Sequence, residues 1–473
     1  MKKVFLGLCS HPTPSKVLLN QTSSIISHHH RFPLRAVFLL IIVLCGNLTS
    51  LSRPSFALPD EPLPSTGLCT NCHDLKAGVM FGFLDLIAPP SQTIQMDFIT
   101  HKEVIKYTNL TNLSSVDSFE DLATSLNQGL IIDYIEAQGD KVATAITLFD
   151  YHKLIPEEEF LSHGEFLQRI KNPALRVYDV RPLEQYSMGH IPGAMLLPLI
   201  DFEAMSTILP MDKTTPIIFS GTGGGLGPTA ALTAKSLGYT KISVYAGGFP
   251  DWVEHDWAIT SIEWLKSAIK NGTPHVLIDL RSEIQATRSH LPGSVNLTPA
   301  NFRSGKTSFP EEKNAPIILY GPERKKVAAT LIDRGYRAVT ILPVSFETWQ
   351  AAGYPVETGP TRRNLVYHPQ PKSGTISVEE FARGTHGKPV DKLYLDVRNP
   401  EEFAAGSIPE ALNFPVDRIG RLLAEIPAGQ ELILFCASGT RAEMAHTILD
   451  RAGRRNRYLN ATVNFKNGAI EIK

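Results

Sequence analysis

Cysteine is scarce, with five residues in a chain of 473. That count excludes a disulfide-built scaffold and leaves each cysteine to be judged as a site in its own right. Charge of one sign is equally lacking: 46 Lys and Arg stand against 47 Asp and Glu, for a formal net charge of −1. Such a balance carries no footprint for nucleic acid or for an acidic membrane surface. The apolar run from Ala36 to Gly46 is too short to span a bilayer comfortably. What remains is ordinary globular composition, 43% hydrophobic and 20% charged, in a length that suits three or four domains.

The same short run reads as an export signal. Arg31 and Arg35 flank its start, and Ser55-Phe56-Ala57 offers small residues for cleavage beyond it. Residues 1–57 are therefore expected to be a signal peptide or a retained N-terminal anchor. Cys45 at the end of the run is a third option, a lipidation site, although Leu44 before it is bulky for that role. All three readings put the mature chain in the periplasm or cell envelope, with membrane contact only through the anchor or a lipid.

The most informative cysteine is Cys436. It follows the apolar run Glu431-Leu-Ile-Leu-Phe435, which reads as a buried strand, and heads the loop Cys436-Ala437-Ser438-Gly439-Thr440-Arg441. The apolar spacing from Ala442 to Leu449 predicts a helix. A strand–loop–helix with Cys at the turn aims backbone N–H groups and a helix N-terminus at the sulfur, which suits a thiolate and an anionic substrate. Arg441 closes the loop and is suited to hold a planar oxyanion with two prongs.

Around this loop the chain repeats itself. Val177-Tyr-Asp179-Val-Arg181 recurs as Leu277-Ile-Asp279-Leu-Arg281 and as Tyr394-Leu-Asp396-Val-Arg398. Eleven residues after each Asp comes a turn: His190-Ile-Pro-Gly193, His290-Leu-Pro-Gly293 and Ser407-Ile-Pro-Glu410. Each unit then has a small apolar strand and a second buried one, beginning Pro216-Ile-Ile-Phe219, Pro316-Ile-Ile-Leu319 and Leu432-Ile-Leu-Phe435. Strands alternating with helical patterns at this spacing argue for parallel α/β units with helices on both faces.

The repeat resembles the rhodanese family, through the Asp-x-Arg motif, the step to His-x-Pro-Gly and the strand–Cys-loop–helix. The resemblance implies three tandem three-layer α/β domains with central parallel sheets, at 157–258, 259–358 and 373–473, and a sulfur-carrying cysteine where the loop survives. Each Asp–Arg pair and the two histidines are expected to order their turns, and no histidines of these domains stand at metal-ligand spacing in the sequence. Aligned on the strand, Cys436 falls opposite Ser220 in the first copy and Tyr320 in the second, so only the third copy carries chemistry. The glycine-rich first loop, Ser220 to Gly227, invites a phosphate-cradle reading but has no P-loop Lys; a decayed sulfur loop is the better account. The third copy departs from the family at its end, where Tyr458 to Ile472 reads as a β-hairpin turning at Asn467-Gly468 in place of a Gly-Gly-x-x-x-Trp turn.

The resemblance implies a rhodanese-type (thiosulfate) sulfurtransferase. Cys436 is the nucleophile, Arg441 orients the donor, and Ala437, Ser438, Gly439 and Thr440 bind the transferred sulfur. The partners are then a small sulfur oxyanion or persulfide donor and a thiol-type acceptor, and sulfur transfer needs no cofactor. Cysteine-based phosphatases share the architecture, but four residues separate Cys436 from Arg441, one fewer than their loop needs, and no His precedes the Cys.

A second site lies upstream. Cys69-Thr-Asn-Cys72-His73 matches the c-type haem attachment motif, with Cys69 and Cys72 as thioether anchors and His73 as proximal iron ligand. A Cys69–Cys72 disulfide or a zinc site are the alternatives. Met80, Met96 and His101 are the candidate distal ligands, Met96 favoured because it follows the Pro89-Pro90 turn. The expected haem segment is 58–92, followed at 93–152 by short strands of a small β-barrel-like domain. A haem on a sulfurtransferase would couple its sulfur chemistry to a periplasmic redox partner; the alternative is a c-haem electron-transfer or persulfide/oxyanion-binding protein with the rhodanese units as scaffold.

Overall fold

The computed structural model describes residues 77–304, 308–362, 364–385, 391–466 and 469–473. The apolar run, Cys45, the Cys69–His73 motif and the turn at Asn467-Gly468 lie outside them. Among the described residues, no helix is long and apolar enough to cross a membrane.

The first domain is a twisted sheet of β1 (Val79–Ala88), β2 (Thr93–Asp97), β3 (Lys102–Lys106), β4 (Asn112–Ser114), β5 (Gly129–Ala137) and β6 (Asp140–Leu148). Its order is β3-β2-β1-β5-β6-β4, and a parallel pairing of Lys106 with Val142 joins β3 to β6, closing five strands into a ring. Ala137 pairs with Asp140 across a turn whose two residues, Gln138 and Gly139, both have positive φ, as a tight hairpin demands. The domain thus starts at Val79 rather than at 93. The part of the expected haem segment from Val79 to Ala88 is β1, an interior strand of this sheet.

β1 is apolar on both sides because both sides are covered. Met80 and Leu84 point into the barrel core with Ile94, Ile105, Leu130 and Ile146. Phe81 and Phe83 pack instead into the core of the first α/β copy. After a bulge between Leu84 and Leu86, Leu86 and Ala88 join the core of the third copy. One strand therefore ties three hydrophobic cores together, and the bulge re-aims it between two of them.

Each copy then builds a five-stranded parallel sheet. The first consists of β7 (Phe160–Leu161), β8 (Arg176–Asp179), β9 (Met195–Leu196), β10 (Ile217–Ser220) and β11 (Ile242–Tyr245). The second has β12 (Ala258–Ile259), β13 (Val276–Asp279), β14 (Val295–Asn296), β15 (Ile317–Tyr320) and β16 (Val339–Ile341). The third has β17 (Thr375–Ile376), β18 (Lys392–Asp396), β19 (Leu412–Asn413), β20 (Glu431–Phe435) and β21 (Asn456–Leu459). The strand orders β7-β11-β10-β8-β9, β12-β16-β15-β13-β14 and β17-β21-β20-β18-β19 are one topology used three times.

Central strands covered on both faces split their side chains between two cores. Leu432 and Leu434 of β20 face one cluster with Met444, Ala445 and Leu449. Ile433 and Phe435 face the other, with Phe381 and Leu459. The third copy ends in the expected hairpin, β22 (Val463–Lys466) antiparallel to β23 (Ala469–Ile472).

Candidate active site

Cys436 sits one residue beyond β20 and is 1% exposed. The helix Thr440–Arg451 begins four residues later, its apolar face formed by Ala442, Met444, Ala445 and Leu449. Gly439 turns the loop with φ +89°, and that conformation brings its N–H to the Cys436 sulfur at 3.2 Å. A side chain at 439 would also meet the backbone and carboxamide of Asn460, so glycine is required twice. Val463 N–H bonds the Ala437 carbonyl, which places the C-terminal hairpin as one wall of the loop. Ser438 is exposed on the crest, with its hydroxyl 3.4 Å from that of Thr440.

Arg441 is 4% exposed, and its two prongs are already engaged. Nη1 and Nη2 donate to the Glu402 carboxylate at 2.5 and 2.8 Å. Burial opposes its charge, but Glu402 and the neighbouring Cys436 outweigh that and hold the guanidinium pKa above its ordinary value. The same bonds from Arg441 pull the Glu402 carboxyl below its ordinary range. The site is thus a Cys436–Arg441–Glu402 array, in which Arg441 supplies a fixed positive charge beside the sulfur rather than a free two-pronged clamp. Sequence reasoning passed over Glu402. A signal existed: the residue four places after each Asp-x-Arg arginine is Gln185, Gln285 and Glu402.

The strand register corrects the correspondence between loops. Asp179 pairs with Ser220, Asp279 with Tyr320 and Asp396 with Phe435. Cys436 therefore matches Gly221 and Gly321, not Ser220 and Tyr320. Neither glycine leaves space for a nucleophile. A Cβ at Gly221 would lie 2.9 Å from the Gly227 nitrogen, and Gly321 has φ +100° with Arg281 nitrogen 3.1 Å from the Cβ position. Tyr320 is instead a core plug. Its hydroxyl donates to Asp279 Oδ2 at 2.8 Å and meets Ser294 Oγ at 3.1 Å, and burial, followed by the Asp279 charge, raises its pKa. In the first copy the glycines admit the β-domain: Gly225 N–H bonds the Asn127 carbonyl at 2.8 Å, and a Cβ on Gly224 would collide with that carbonyl. With its N–H committed to Asn127, Gly225 is not available to cradle a phosphate.

The remaining motif residues are structural. Each Asp–Arg pair is buried and two-pronged, with Arg Nη2 also donating to the carbonyl of Gly189, Ser289 or Gly406. An aromatic ring covers each arginine: Phe249 and Phe346 at 3.6 Å, and Phe465 at 4.5 Å. The third copy thus delivers from its hairpin the ring that the others deliver from a helix. His190 and His290 place Nδ1 on the Tyr186 and Ala286 carbonyls, tying turn to helix. Folding does gather histidines that the sequence separates. His163, Asp251 and His255 come within 4.8 Å, with the two rings stacked and His163 Nδ1 on the Tyr245 hydroxyl.

Of the distal haem candidates, Met80 and Met96 lie in the barrel core at 7% and 0% exposure, where neither thioether reaches an iron without opening the barrel. The preference for Met96 does not fit. His101 is exposed, stacked on Phe98, with Thr100 on its Nδ1.

A parallel sheet repeated three times, with a buried cysteine loop in the last, defines a class of sulfur-handling α/β domain. The family model for the Rhodanese-like domain matches residues 162–255, 261–352 and 377–468, and the chain belongs to that family. Among its relatives, the sulfurtransferase of Allochromatium vinosum is 38% identical over 80 residues, 17% of this chain and 70% of the relative. The thiosulfate:glutathione sulfurtransferase of Saccharomyces cerevisiae is 32% identical over 95 residues, 18% of this chain and 68% of the relative. That of Homo sapiens is 31% identical over 93 residues, 17% of this chain and 81% of the relative. These relatives support a rhodanese-type sulfurtransferase.

Proposed function

We propose that the third copy moves sulfane sulfur from a thiosulfate-like donor to a thiol-type acceptor through a persulfide on Cys436. The observation that carries this reading is the loop itself: Gly439 N–H at 3.2 Å from the sulfur, with the Arg441–Glu402 pair beside it. The Cys436 thiolate attacks the outer sulfur of the donor; a new S–S bond forms, the old one breaks, and sulfite leaves with the electron pair. Gly439 N–H and the helix N-terminus offset charge on the terminal sulfur, and the Arg441 charge draws the anion in. An acceptor thiolate then takes that terminal sulfur, returning Cys436 to its starting form. A sulfur so deeply recessed suits a small donor, in keeping with the thiosulfate named for two of the relatives.

The test is an intact mass spectrum before and after thiosulfate. A gain of one sulfur that vanishes in Cys436→Ser supports the persulfide, and no gain with thiosulfate or an organic persulfide refutes it. Export and covalent haem c on Cys69, Cys72 and His73 are part of the same proposal, supported by the apolar run and the motif, with His101 as the distal candidate. If present, the haem would supply electron transfer. Cell fractionation, and the same spectrum from a host that attaches haem, test both. A chain lacking the haem mass returns Cys69 and Cys72 to a disulfide or zinc.

A further inference from the structure

The turn Pro89-Pro90-Ser91 links β1 to β2, yet its Pro90 carbonyl and Ser91 hydroxyl are spent in another domain. Ser91 is 6% exposed. Its hydroxyl donates to Asn399 Oδ1 at 2.9 Å and accepts from Arg441 Nη1 at 3.4 Å. Asn399 Nδ2 returns a bond to the Pro90 carbonyl at 2.5 Å, and Thr93 Oγ1 reaches Met444 Sδ at 3.4 Å. These contacts join residues more than 300 positions apart in sequence.

Ser91's two partners are the groups that arrange the charge beside Cys436. Arg441 is one. Asn399 is the other, because its backbone N–H holds Glu402 Oε2 at 3.1 Å, the same oxygen that takes Arg441 Nη1. The positions matching Asn399 in the other copies are Pro182 and Ser282, and Ser282 bonds its own Gln285. The grip from the β-domain falls on the copy that carries the cysteine.

We propose that Ser91 is a positioning residue of the Cys436 site: the β-domain, through the Ser91–Asn399–Arg441 contacts, holds the Glu402-paired guanidinium where it favours anions at the sulfur. The site is then built by two domains, and the third copy alone does not specify it. This rests on the sulfurtransferase reading of Cys436, so the test includes a readout that does not need sulfur transfer.

In the full chain, the rates of Cys436 alkylation by anionic iodoacetate and by neutral iodoacetamide are measured on the Cys436 peptide by mass spectrometry. Ser91→Ala is expected to lower the iodoacetate-to-iodoacetamide rate ratio about three- to tenfold, the scale of one net hydrogen bond. KM for thiosulfate should rise by a similar factor with kcat changed less, and Ser91→Thr should restore most of the ratio. Asn399→Ser keeps a capping side chain on the Glu402 helix but cuts the grip, and should show the same shift. It also carries the test if Ser91→Ala fails to fold. An unchanged ratio in the folded variants overturns the inference. A wild-type protein that takes no sulfur from any donor overturns the proposed function instead, while the alkylation ratio still decides this one.

Discussion

Replacing Gly439 with Ala is the sharpest perturbation of the loop. An L-residue held at φ +89° costs about 1–2 kcal/mol in backbone energy. Its Cβ would also stand 2.8 Å from Asn460 Oδ1 and 3.1 Å from Asn460 Cα, the second of which is backbone and cannot step aside. The loop escapes by rotating the 439 peptide, and that rotation takes the N–H away from the sulfur it meets at 3.2 Å. Losing a hydrogen bond to a charged group costs about 1.5–3 kcal/mol. The rotated loop therefore gives up about 1.5–3 kcal/mol of transition-state stabilisation, or about 10- to 150-fold in rate. The assay is single-turnover sulfite release from thiosulfate, with circular dichroism to confirm folding. Gly429→Ala is the control, since Gly429 has φ +90° but open space around it and lies outside the loop. Activity of Gly439→Ala within threefold of wild type would refute the reasoning.

Three further outcomes are expected. Tyr320→Phe removes the hydroxyl between Asp279 and Ser294 and should lower stability by about 1–3 kcal/mol in urea unfolding while leaving persulfide formation on Cys436 unchanged. Gly321→Cys, in a Cys436→Ser background, should gain no sulfur from thiosulfate, because the φ +100° position and the nearby Arg281 backbone deny it the loop of the third copy; a sulfur adduct there would sink the account of the silent copies. Hydrogen bonds from Arg457, and then Lys392, hold the Glu380 carboxyl down to about 2. A depressed pKa stabilises the fold in full above the ordinary value of 4.5, and the contribution fades as pH falls toward about 2. Glu380→Gln should therefore be less stable than wild type above pH 4.5 and converge with it near pH 2; parallel stability curves across that range would contradict the pairing.

The repeat was legible because Asp-x-Arg and the turn eleven residues on are fixed by a buried ion pair that tolerates little change. The terminal hairpin was legible too, from alternation around a turn dipeptide. The loop register was not, and the reason is physical. β20 is buried on both faces, so five consecutive core residues carry no alternation to set the phase. Only the pairing of Asp396 with Phe435 fixes it. β1 hid for the same reason: a strand that serves three cores looks like a featureless apolar run. Ser91 carried no signal at all, because its partners lie in a segment that only the fold brings near.

The long reach of β1 has a consequence for how the protein matures. Each α/β copy is contiguous and can assemble from local segments as it is synthesised, but Thr93 must wait for Met444, 351 residues later. Contacts so distant close late, after the loop entropy of everything between has been spent. Until then Leu86 and Ala88 leave an uncovered apolar patch on the barrel, the kind of exposed surface that invites association with the wrong partner. The Ser91 and Thr93 contacts on the third copy can form only once residues 399–444 have been made, so the cysteine site depends on both ends of the described chain.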